Sequence, residues 1–142
     1  MNGVIEKSEV APLMLAACPS FRSLWDSDSR DFNLDADTGE RLGYLDAADL
    51  TRHLVGLLAD GDTEEFPAVF EAIERLHCEG DDYVRELATI GYLEGLQFVS
   101  SHEPRIEESD FVPFLGPESL RWWRGLVAYW DGSASTVVPI DA

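Results

Sequence analysis

The chain is 142 residues long, 45% hydrophobic and 11% aromatic, which suits one compact domain with a real core and excludes a compositionally disordered chain. It carries 28 acidic against 10 basic residues, a formal net charge of −18 and a pI near 4.2. That surplus argues against nucleic acid and anionic membranes as partners, since both would be repelled, and permits a cationic protein or a surface that imitates nucleic acid.

In chain order, Ser8 can cap a first helix with Val10, Leu13, Met14 and Ala17 on one face; Pro12 falls early, where a missing amide is tolerated. Cys18-Pro19 ends it, and Pro19 can open a short second helix carrying Phe21, Leu24 and Trp25. Residues 26–43, rich in Asp, Ser and Gly, read as a long loop holding a short hairpin at Phe32–Leu34 and Arg41–Tyr44. Asp46 or Asp49 can start a helix with Leu50, Leu54, Leu57 and Leu58 on one face, stopping at Asp60-Gly61-Asp62. Asp62 caps the next, whose early acids suit the positive end of the helix dipole and whose apolar face is Phe66, Val69, Phe70, Ile73 and Leu76; it stops at Glu79-Gly80. A third starts at Asp81-Asp82 and carries Val84, Leu87, Ala88, Ile90, Gly91 and Leu93. Such short turns make the three helices antiparallel, like a helical-hairpin repeat.

Gly91 and Gly95 fall four apart on one face of the third helix. Each costs roughly 1 kcal/mol relative to Ala, so a closely packed backbone is expected there. Residues 100–113 form another acidic loop, and Gly116-Pro117 begins a last helix with Leu120, Trp123, Val127 and Trp130 on one stripe. Trp122 and Trp123 diverge by about 100°. Either that helix is covered on two sides, or Trp122 is partly exposed and can anchor a partner. The tail, 131–142, is expected to be flexible or a strand-like surface arm.

Chemistry-bearing motifs are scarce. Counted as a calcium loop from Asp35, Asp37 takes position 3, but Gly39 falls one place short of the obligatory glycine and Asp46 stands where a bidentate Glu belongs. A solvated acidic loop is the better reading, with no metal and no cofactor. His53, His77 and His102 show no ligand spacing, and no nucleophile elbow, phosphate loop or dinucleotide fingerprint occurs. Glu94, amid Tyr92, Leu93 and Leu96, is the best single candidate for a cryptic enzyme. Cys18 and Cys78 do not make a disulfide scaffold and are expected as buried small hydrophobes. Residues 1–20 lack a basic start with a long apolar run, and no stretch approaches about 18 apolar residues, so a cytoplasmic protein is expected.

Three segments, "AACPSF", "GDTEEFPAVFEAIERL…GDDYVRELATIGYLEGLQ" (61–97) and "FLGPESLRWW" (114–123), carry a resemblance over most of residues 11–130. The chain resembles an uncharacterised family of small, acidic, mostly helical bacterial proteins. The resemblance implies an all-α fold and transfers no catalytic residues; in character such proteins are similar to toxin-neutralising immunity proteins. The expectation is a single all-α domain, an antiparallel bundle of about six helices. It would act as an inhibitor of a basic toxin or nucleic-acid-binding protein, without chemistry of its own; a helical adaptor or scaffold is the rival. Antiparallel topology brings Asp46, Asp49, Glu79, Asp81 and Asp82 to one end with Asp35, Asp37 and Glu40, and this end, with the Trp122 face, is the expected partner surface.

Overall fold

The structure, a computed structural model, describes residues 3–141; Met1 and Asn2, in the stretch read for a leader, and Ala142, the end of the expected tail, lie outside the described residues. The chain is an all-α bundle. α1 is Lys7–Ala17. α2 is one irregular helix: a 3-10 turn, Pro19–Phe21, runs on through Arg22–Leu24, a π-helical stretch Trp25–Ser29, and Arg30–Phe32. α3 is Gly43–Ala59 and α4 is Phe66–Glu79. α5 joins Asp82–Glu86, a π-helical Leu87–Leu93 and Glu94–Ser100. A 3-10 segment, Glu108–Phe114, leads into α6, Pro117–Trp130. Among the described residues, β pairing is limited to isolated bridges of Ile5 with Gly80 and Leu34 with Arg41, and no helix is long and apolar enough to cross a membrane.

Several boundaries follow from capping chemistry. Asp81 caps α5 by accepting the Val84 amide at 2.9 Å, and Gly61, at φ +76°, turns the chain after α3. α1 is capped two residues earlier than Ser8 suggests, by a reciprocal Glu6–Glu9 box. The stretch read as loop from residue 26 is helical to Phe32, because Trp25 and Ser29 are buried against the bundle while the intervening acids face water. α3 starts at Gly43, ahead of Asp46, since the Leu42 amide is taken by the Asn33 carbonyl at 2.8 Å. Cys18 is buried but Cys78 is exposed on α4, contrary to expectation, and both thiols are free.

α5 is the central helix, packing on α3, α4 and α6, while α1 crosses α3 and α4. α3 and α5 run side by side in the same direction, with Ala47 opposite Gly91 and Thr51 opposite Gly95. A Cβ at Gly91 would stand 2.7 Å from Leu87 and 3.2 Å from Ala47; one at Gly95 would stand 3.2 Å from Thr51. What approaches the glycines is therefore a pair of small side chains, not bare backbone. Gly91→Leu should overpack this seam and cost on the order of 1–3 kcal/mol. A urea midpoint equal to that of the wild type would contradict the packing.

α6 is fixed at its start by Glu74, whose carboxylate accepts the Glu118 amide (2.9 Å), the Ser119 amide (2.8 Å) and the Ser119 hydroxyl (2.8 Å). Ser119 also meets the buried His77 Nδ1 at 3.0 Å, and His77 Nε2 meets Thr89 Oγ1 at 3.0 Å. These bonds turn Ser119 inward. The buried line of α6 is then Ser119, Trp123 and Leu126, and Val127 and Trp130 of the expected stripe are left exposed. Beyond α6, Ile140 donates to the Arg121 carbonyl at 2.9 Å and Asp141 pairs with Arg121 at 2.6 Å, so the last described residues lie along the helix.

Candidate functional site

The structure brings the acidic N-terminal ends of α3 and α5 together, as the topology implies: the Tyr44 and Tyr83 rings meet edge to face at 6.0 Å, and Lys7 spans from Glu40 at 2.6 Å to the Tyr83 ring. Most of the acids expected to receive a partner are nevertheless engaged within the fold. Asp46 is buried; it accepts from Asn33 at 2.9 Å and from Arg41 at 3.0 Å, and burial raises its carboxyl despite those bonds. Asp49 accepts from Ser29 at 2.7 Å and Asn33 at 2.8 Å and pairs with Arg52. Asp35 accepts the Asp37 and Thr38 amides, both at 2.9 Å, which hold its carboxyl below the usual range; with Gly39 at φ +71° this is a turn. Glu79 pairs with Arg75 at 3.1 Å and Asp81 is a cap. Asp37 and Asp82 have no ion-pair partner among the described residues. Trp122 is half-buried against the core, with part of its ring left exposed.

A second cluster has no signal in the local sequence, because its members come from three separate elements. Ser20 Oγ lies 2.8 Å from His53 Nε2 and 2.7 Å from Glu65 Oε1, and the Cys18 thiol donates to the same Glu65 oxygen at 3.1 Å. The composition suggests a nucleophile, a base and an acid, but the wiring opposes it. Ser20 gives its one proton to Glu65, so His53 Nε2 must carry a proton to donate to Ser20 and is not free to act as base. Burial pushes the Cys18 thiol up to about 12, with Glu65 adding to it, so no thiolate forms near neutrality. Burial would raise Glu65, but the bonds from Ser20 and Cys18 outweigh it and hold its carboxyl low. The cluster ties α2 to α3 and α4.

A large open concavity lies elsewhere: a groove of about 1010 Å³ between α3, α5 and the C-terminal end of α6. Ala48, Thr51, Gly91 and Gly95 line it along the α3–α5 seam, and Phe98 and Trp130 stand at its sides, 66% and 65% exposed respectively. Glu94 lines it too, accepting from Trp130 Nε1 at 3.2 Å. The Phe98 ring packs against His102 at a tilt of 53°, centroids 4.9 Å apart. Among the described residues no group of three or more His, Cys, Asp or Glu side chains could hold a metal ion.

Neither the curated proteins nor the solved structures contain a match to this chain. A family model described as Domain of unknown function (DUF7674) matches residues 11–131, nearly the whole bundle, and the chain belongs to that family.

Proposed function

We propose that the protein is a non-catalytic inhibitor of immunity-protein type, working in the cytoplasm, which binds a basic toxin or nucleic-acid-binding protein and covers its cationic surface. The observation that supports this is the disposition of charge. Seven basic side chains pair with ten carboxylates among the described residues, which leaves most of the 28 acidic residues without an ion pair. Such a field raises the rate at which a cationic partner arrives, and desolvated aromatic contacts then set how long it stays. The exposed groove favours a second reading, a helical adaptor that joins a partner without silencing it.

In-cell photo-crosslinking from positions 37 and 130, followed by assay of the captured partner, separates these. Inhibition expects a basic partner whose activity falls on binding. A captured partner that stays fully active supports the adaptor, and an acidic or neutral partner contradicts inhibition.

A further inference from the structure

Resting on the partner-binding reading, we infer that the groove between α3, α5 and α6 receives an amphipathic, basic helix of the partner. Phe98 and Trp130 are large apolar side chains left mostly in water beside a depression of about 1010 Å³, the arrangement by which soluble proteins mark an interaction surface. The groove runs along the parallel helices α3 and α5 beside the C-terminal end of α6, and a trough along a helix pair admits apolar side chains spaced i, i+3, i+4 and i+7 along an incoming helix. Its lining includes the carboxylates of Glu94, Glu108 and Asp131, while the lining cation Arg52 is paired with Asp49. An apolar stripe flanked by Lys or Arg therefore complements the groove in shape and sign. A second copy of this chain does not, because each copy would carry a net charge of −18 and present the same carboxylates. An open trough with both aromatic sides in water would also bury too little of a drug-sized molecule.

The test is a titration of the full chain with a synthetic Leu/Lys peptide of roughly 18 residues carrying the i, i+3, i+4, i+7 pattern, against a scrambled peptide of the same composition, followed by amide and indole NMR. The patterned peptide should bind about tenfold tighter than the scrambled one and shift the Trp130 indole and the Gly91 and Gly95 amides. Trp130→Ala should weaken it about tenfold with the melting midpoint unchanged, and Glu94→Gln with Glu108→Gln should flatten its salt dependence. Equal binding of the scrambled peptide, or shifts confined to the 35–40 turn, overturns the groove. So does a dimer abolished by Trp130→Ala, which makes a second copy the occupant, or a small apolar molecule released on denaturation. A captured basic partner that is inhibited, yet binds Trp130→Ala as tightly as wild type, overturns the groove and leaves inhibition standing. A patterned peptide that seats in the groove while the captured partner stays active does the reverse.

Discussion

Asp46→Ala should cost about 3–5 kcal/mol of stability, the range for stripping one partner from a buried ion pair, whereas Asp37→Ala should stay within about 0.5 kcal/mol of the wild type. Both carboxylates belong to the same acidic end, and the difference lies in what each touches. Asp46 joins the Asn33 amide and the Arg41 guanidinium. Arg41 in turn donates to the Ser29 carbonyl at 3.3 Å and lies 4.3 Å over the Trp25 ring. Removing Asp46 takes the carboxylate from a largely buried guanidinium, takes one of its two carboxylate acceptors from the buried Asn33 amide, and loosens the whole connection from α2 to α3. Asp37 is exposed on the turn, and its loss removes only a solvated charge. Urea unfolding of both variants checks this; equal midpoints would mean that Asp46 is a surface acid after all.

Acid should weaken the fold through His77. Burial holds its imidazole down at about 4, outweighing the nearby Glu74 carboxylate that favours the charged form. Ser119 gives its proton to Glu74, so His77 Nδ1–H donates to Ser119, while Nε2 faces the Thr89 hydroxyl, which also reaches the Arg85 carbonyl at 3.4 Å. The folded value lies below the ordinary 6.5. As pH falls through 6.5 the unfolded chain takes up a proton that the folded chain refuses, so stability is full above 6.5, falls down to about 4, and is not lost further below. By pH 5 the loss through this one group should reach about 2 kcal/mol. Glu74 and Glu65, both held low, add their own loss at lower pH. The difference between wild type and His77→Gln isolates the histidine. A wild-type unfolding free energy that falls no faster than that of His77→Gln between pH 6.5 and 5 would contradict a buried neutral His77.

Where the sequence was legible, one local force decided the outcome. The apolar stripes of α3, α4 and α5 have no alternative to burial, Asp81 caps wherever a helix starts beside it, and a glycine pair four apart inside a helix has few reasons to exist other than close packing. It was illegible where a distant group decided. Residues 26–32 look like loop because only Trp25 and Ser29 face inward, too few to register as periodicity. The buried line of α6 is set by Glu74 and His77, on another helix, so the stripe through Val127 and Trp130 pointed to the wrong face. That displacement leaves Trp130 exposed at the side of the groove, on a face the stripe had assigned to the core. The acidic end was located correctly in the topology, but the Asn33 and Ser29 side chains that occupy Asp46 and Asp49 come from residues whose approach no local pattern records.

The most direct measurement is the association rate of the captured partner as ionic strength is raised from low salt to about 0.15 M, where the screening length shrinks to about 8 Å, followed for the wild type and for Asp37→Asn combined with Glu94→Gln and Glu108→Gln. Charge-steered binding expects the wild-type rate to fall steeply with salt and the variant to start slower and fall less. A wild-type rate that does not change with salt would contradict it and leave the surplus of acid as a solubilising surface alone.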